Sequence, residues 1–155
     1  MVYASLGNGF EPNVATLVPV LQACRGIGLM RELFGVHGYA IKSGILGIAS
    51  VQNCLLGVYG DVDMELARQL FDEISDRDVI PWSAMIAGHV RNEEEDLGLR
   101  MFVEMVSEAK VEPDEVTLVG VLKACAGMES LIWGKVAHSF AHCKSLDSDC
   151  WEYFN

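Results

Sequence analysis

No apolar run in the 155-residue sequence approaches the roughly 18 to 20 residues that span a bilayer, and Arg25, Glu32 and Lys42 interrupt its most apolar part. The first residues show neither the basic, apolar and cleavage-site segments of a signal peptide nor the Arg- and Ser-rich helix of an organelle transit peptide. On this reading the protein is cytosolic, or its true N-terminus lies upstream of Met1. The five cysteines, Cys24, Cys54, Cys125, Cys143 and Cys150, are odd in number and form no C-x-x-C pair. That speaks against a disulfide framework or zinc ribbon and fits a reducing compartment. Catalytic signatures are missing as well. There is no G-x-x-x-x-G-K-[ST] phosphate loop, no G-x-S-x-G elbow, and no histidine followed two residues later by the glutamate that zinc deaminases require. His138 and His142 with Cys143 have helical spacing that could hold a metal, but no fourth ligand is placed to complete a site. The expectation is a protein that is not an enzyme, with no catalytic residues, no cofactor and no metal.

Bases are scarce where acids are dense. The formal charge of −11 arises within residues 61 to 115, which hold sixteen acids and five bases, while the remaining acids and bases cancel. An acidic middle opposes nonspecific phosphate binding, which is built from Lys and Arg. With 51% hydrophobic and 21% charged residues, the chain is nevertheless composed to fold rather than to stay disordered.

What the sequence does contain is repetition. "TLVPVLQACRGIG" at 16 to 28 returns 101 residues later as "TLVGVLKACAGME" at 117 to 129, with eight of thirteen positions identical. A repeat of this kind signals a solenoid when its period is about 20 to 50 residues. The 101-residue spacing divides into three if "VQNCLLGVYG" leading to "MELARQLFDEI", and "WSAMIAGHV" leading to "LGLRMFVEM", are two further copies. Units then begin near Val14, Ala49, Val79 and Glu115, and have lengths of 35, 30 and 36 residues.

Each unit reads as a helical hairpin. Trp82, Met85, Ile86 and His89 fall on one face of a helix, as do Gly98, Met101, Phe102 and Met105 on the next. Leu66, Leu70, Phe71 and Ile74 form the equivalent stripe of the second unit, with Arg68 and Glu73 on its wet side. These stripes are expected to be core, and Cys24 and Cys125 inside the repeated phrase are expected to behave as small hydrophobes. "FEPN" and "VEPDE" place a proline and an Asn or Asp before a new apolar run, and Pro81 falls where a first helical turn tolerates it. The run "NEEED" at 92 to 96 reads as a solvated turn and the start of a helix.

These segments, in the order "TLVPVLQACRGIG" with "HGYAIKSG", "NCLLGVYG" with "LARQLFDEI", "WSAMIAGHV" with "MFVEM" and "VEPD", then "TLVGVLKACAGME", resemble the pentatricopeptide repeat family of land plants. The resemblance covers about residues 10 to 149 and is closest to the subgroup that alternates long, short and standard units. It divides the chain into the end of a preceding repeat (1–13), a long unit (14–48), a short unit (49–78), a standard unit (79–114), a second long unit (115–149) and a truncated tail (150–155). It implies an all-α fold, a right-handed α-solenoid of tandem hairpins. The implied partner is single-stranded RNA of a mitochondrion or chloroplast, with editing or processing proteins beside it and no membrane. The role would be C-to-U editing, splicing or transcript maturation, as a non-catalytic specificity module.

In that family the fifth and last residues of a unit read one base, and the second residues of successive units flank it. Carried onto this sequence, the base-reading pairs are Asn53 with Asp78 and Ser83 with Asp114, and the base-flanking residues are Ile80 and Val116. By the family's usage the first pair prefers uracil and the second guanine. The chemistry agrees, because a carboxylate accepts from guanine N–H groups while Asn both donates and accepts at a pyrimidine edge. Asp78 and Asp114 also read independently as helix N-caps, and Asn53 and Ser83 as ordinary helix-start residues.

Two departures stand out. The short unit has a shortened turn in "YGDVDMELARQLF", which could shift Asp78 from Asn53, and His89 stands where the family has an aromatic residue. Two alternatives remain at this point. One is a tetratricopeptide-like scaffold for protein partners, although its W-x-x-L-G signature and regular 34-residue spacing are missing. The other is an inactive gene fragment.

Overall fold

A computed structural model of the chain describes residues 13–27, 30–129, 131–135 and 138–139. Seven α-helices are complete within them: α1 (Val14–Ile27), α2 (Met30–Lys42), α3 (Ala49–Val62), α4 (Met64–Glu73), α5 (Val79–Arg91), α6 (Glu95–Ser107) and α7 (Glu115–Gly127). A 3₁₀ turn, Ile45–Gly47, joins α2 to α3. Among the described residues there is no strand, and no helix is long and apolar enough to cross a membrane. The fold class is all-α, built as the tandem helical hairpins of an α-solenoid. The chain divides into two compact units, one ending at Ile74 and the other beginning at Ser75.

In the first unit α1 packs on α2 and α3, and α3 packs on α4. Its core holds Leu17, Leu21 and Cys24 of α1, Leu33, Val36 and Ala40 of α2, Val51, Leu55, Val58 and Tyr59 of α3, and Leu70 and Phe71 of α4. Sequence explains where these helices stop. After α2, Gly44 adopts a left-handed φ of 71°, which costs a glycine little, and its N–H donates to the Ile41 carbonyl at 3.1 Å. Between α3 and α4 a single residue, Asp63, does two jobs. Its N–H donates to the Tyr59 carbonyl at 2.7 Å, closing α3, while its carboxylate accepts from the N–H groups of Glu65 and Leu66 at 3.0 and 3.2 Å, opening α4. The shortened turn noted in the sequence is accommodated by that one extended residue.

In the second unit α5 packs on both α6 and α7, and α6 packs on α7. Trp82, Met85, Ile86 and His89 are all buried, as are Gly98, Leu99, Phe102 and Met105 facing them. Close approach explains one glycine. A methyl group built on Gly98 would sit 3.2 Å from Val90 Cγ2 and 3.4 Å from the Ile86 carbonyl oxygen, tighter than ordinary contact. α5 ends in a Schellman turn, in which Glu94 N–H donates to the His89 carbonyl at 2.9 Å and Glu93 N–H to the Val90 carbonyl at 3.3 Å. Glu93 itself takes the left-handed position, with φ of 60°. The turn carries Glu94 back over the end of α5, and its carboxylate reaches His89 Nδ1 at 2.8 Å. "NEEED" is thus more than a solvated run, because one of its acids partners a buried imidazole.

Cys24 and Cys125 are buried free thiols, and burial pushes both thiols up from their ordinary range, with Glu32 adding to the effect at Cys24. They pack as apolar groups in equivalent turns of α1 and α7. Cys143, Cys150 and His142 lie outside the described residues, as do the segments 1–12 and 150–155. Among the described residues no cluster of His, Cys, Asp or Glu is arranged to hold a metal.

Candidate nucleic-acid interface

The residues singled out by sequence gather at helix N-termini. In the second unit Asp114 is the N-cap of α7. Its Oδ1 accepts from the Thr117 N–H at 2.8 Å and from the Thr117 hydroxyl at 2.7 Å. Two residues on, Val116 points to solvent and is 60% exposed. Asp78 is the N-cap of α5, with Oδ1 accepting from the Ile80 N–H at 2.9 Å, and Ile80 is 48% exposed. Two aliphatic side chains therefore stand in water at the starts of α5 and α7, helices packed against each other. A methyl group on Gly120 would meet Ile86 Cγ2 at 3.3 Å, so glycine there keeps α7 close to α5.

Ser83 occupies a different environment. It is only 7% exposed, and its hydroxyl donates to the Ile80 carbonyl at 3.0 Å within the same turn. Its proton is thus committed to the backbone, leaving the oxygen as an acceptor. Asn53 is half-buried on α3 in the first unit, whereas Asp78 belongs to the second. Both aspartates do cap helices, and capping uses one carboxylate oxygen in each case, Oδ1.

Charge is segregated in a way the linear sequence hides. Of the sixteen acids between 61 and 115, six lie on α4 and α6 (Glu65, Asp72, Glu73, Glu95, Asp96 and Glu104), eight lie in turns, and two, Asp61 and Glu115, lie on α3 and α7. α5 carries no acid at all, only His89 and Arg91. Within this stretch α3, α5 and α7 are therefore close to neutral, and α4, α6 and the turns carry the negative charge. Several of these acids are engaged locally. Glu94 meets His89, Glu65 approaches Arg68 at 3.6 Å, and Asp96 approaches Arg100 at 3.9 Å. The exposed pairs contribute little to stability. Around Ile80 and Val116 the nearest acids in the chain are the capping Asp78 and Asp114, and Glu115 in the first turn of α7.

Two side-chain contacts differ in how far the sequence announces them. Thr117 is completely buried, yet its hydroxyl is spent on Asp114. The D-x-x-T spacing at 114 to 117 was the available signal, since a threonine three residues beyond an N-cap can reach it. The contact between His89 and Glu94 had no such signal.

No family model matches the chain. It is similar to pentatricopeptide repeat-containing proteins of Arabidopsis thaliana. One is 34% identical over 138 residues, which cover 88% of this chain and 16% of that protein. A second, whose name carries the label chloroplastic, is 32% identical over 148 residues, covering 95% of this chain and 18% of the relative. A third, labelled chloroplastic/mitochondrial, is 40% identical over 131 residues, covering 84% and 20%. The chain thus spans a fifth or less of the length of these three relatives.

Proposed function

We propose that the chain is a run of pentatricopeptide repeats, alternating long (14–48), short (49–78), standard (79–114) and long (115–149) units, which binds single-stranded RNA without catalysing its chemistry. The RNA is that of a chloroplast or mitochondrion, and the bound segment serves editing, splicing or maturation carried out with protein partners. The observation that carries this reading is the pair of solvent-facing aliphatic side chains, Ile80 and Val116, at the starts of packed helices, with the Asp114 carboxylate beside Val116. An aliphatic group on each side of a base removes its faces from water, while a carboxylate selects at its edge. On this reading Asn53 with Asp78, and Ser83 with Asp114, are the base-reading pairs. The absence of acids along α5, which carries only His89 and Arg91, supports it, because repulsion of phosphates on that helix comes only from its flanking turns.

Three to four units contact about two to four bases at one base per repeat, so binding by this chain alone is weak and salt-sensitive. Fluorescence anisotropy of short U- and G-containing RNAs against the 155-residue chain at low salt tests the proposal. A saturable signal that weakens with added salt is expected. Absence of binding, together with binding of a basic peptide, would instead select a protein-interaction scaffold, the reading that the acidic turns favour.

A further inference from the structure

Resting on the RNA-binding reading above, we infer that Thr117 is a positioning residue for base discrimination, holding the Asp114 carboxylate so that Oδ2 remains the acceptor for the base. The argument comes from three helix starts that share one place in the repeat. At α7, the Thr117 N–H and hydroxyl both bond to Asp114 Oδ1, at 2.8 and 2.7 Å, and neither bond uses Oδ2. Two bonds from one residue to one oxygen fix both side-chain torsions of the aspartate and leave the second oxygen with a defined direction. At α5 the equivalent residue is Pro81, which has no N–H and no hydroxyl, and Asp78 accepts one bond, from Ile80 N–H at 2.9 Å. At α1 the equivalent threonine, Thr16, turns its hydroxyl the other way. It donates to the backbone carbonyl of Asn13 at 2.8 Å, and the Asn13 side chain receives only the Thr16 N–H, at 3.2 Å. The same threonine in "TLVPVLQAC" and "TLVGVLKAC" therefore closes a backbone cap at one end of the chain and clamps a side chain at the other.

The clamp matters for selectivity more than for affinity. A carboxylate free to rotate offers an acceptor to many base edges, whereas one with Oδ1 occupied and Oδ2 fixed presents one acceptor in one direction, which suits the guanine N1–H and repels the lone pair of adenine N1 at the same place. Thr117 touches no base in this scheme, because it is fully buried.

The test compares the unmodified chain with Thr117→Val, which keeps the shape and loses the hydroxyl, and Thr117→Ser, which keeps the hydroxyl. Anisotropy titrations use U-rich oligonucleotides that carry a single central guanine or adenine, with circular dichroism recorded for each variant. In the unmodified chain guanine is preferred. In Thr117→Val that preference falls about three- to tenfold, the scale of one hydrogen bond, while Thr117→Ser retains it. A folded Thr117→Val with undiminished preference overturns the inference and leaves the RNA-binding reading standing. Equal loss in Thr117→Ser also overturns it, because shape rather than the hydroxyl would then be responsible. If Thr117→Val loses its helical signal, Thr117→Ala removes the same hydroxyl without crowding the core and is judged by the same ratio. An unmodified chain that binds no RNA overturns both readings, and one that binds without base preference overturns this one alone.

Discussion

His89 Nδ1 and Glu94 Oε2 lie 2.8 Å apart across the turn between α5 and α6, a contact between a buried imidazole and a half-exposed carboxylate. The Schellman turn that ends α5 makes it possible, by folding residue 94 back over residue 89. A position expected to be aromatic holds a polar ring instead, and the ring is tolerated because this carboxylate satisfies it. Replacing Glu94 with Ala should lower stability by about 1 kcal/mol, the usual net worth of a hydrogen bond of this kind. Combining it with His89→Phe, which removes the orphaned nitrogen, should recover most of the loss. Urea denaturation of the single and double variants measures both effects.

The first unit should lose stability on mild acidification. His37 Nδ1 and the Tyr59 hydroxyl are 2.6 Å apart, within hydrogen-bond distance, and burial, aided by Asp63, pushes the Tyr59 hydroxyl up to about 12. Burial holds His37 below its usual range, with Glu73 partly opposing the shift. The unfolded chain therefore takes up this proton at higher pH than the folded chain, so stability is fully present above about pH 6.5 and declines as the pH falls through the depressed folded value. Denaturation midpoints should drop between about pH 7.5 and about pH 5.5. In His37→Gln the drop should be smaller, and an unchanged pH dependence would count against the assignment.

Ile80 and Val116 should matter for RNA and not for folding. Both are exposed, so Ile80→Ala and Val116→Ala should leave stability within about 0.5 kcal/mol. Each should nevertheless weaken binding to short RNAs several-fold, by withdrawing an apolar face from the base. Met85→Ala is the control with the opposite profile. Its side chain is fully buried, so truncation should cost about 2 to 5 kcal/mol. Melting curves and anisotropy titrations on the same preparations separate the two outcomes.

Much of the local architecture was legible from periodicity. Trp82, Met85, Ile86 and His89 share a face by spacing, and all four are buried. The stripe along α4 and its C-cap holds for Leu70, Phe71 and Ile74, whereas Leu66 is only half-buried, as is Met101 on α6. Spacing places a side chain on a face, but the neighbouring helix decides how much of that face it covers. Asp78 and Asp114 were legible as caps for a local reason, since the groups they bond lie two or three residues away. For Ser83 the resemblance implies base reading and the sequence alone an ordinary helix-start residue, but neither reveals that its hydroxyl donates to the Ile80 carbonyl and that the residue is buried.

The sequence by itself determined the helices, their caps and the sign of the charge, because each depends on contacts within one or two turns or on composition alone. Tertiary structure decided what those features do. Packing among α5, α6 and α7 buried His89 and Thr117, so that the partners each finds, Glu94 and Asp114, satisfy polar groups that water does not reach. Pairing the helices also brought together α5 and α7, at whose starts the exposed Ile80 and Val116 stand beside their capping aspartates. The physical reason is common to all three. Burial and the surroundings of a side chain depend on distances between segments, and those exist only once the helices have packed.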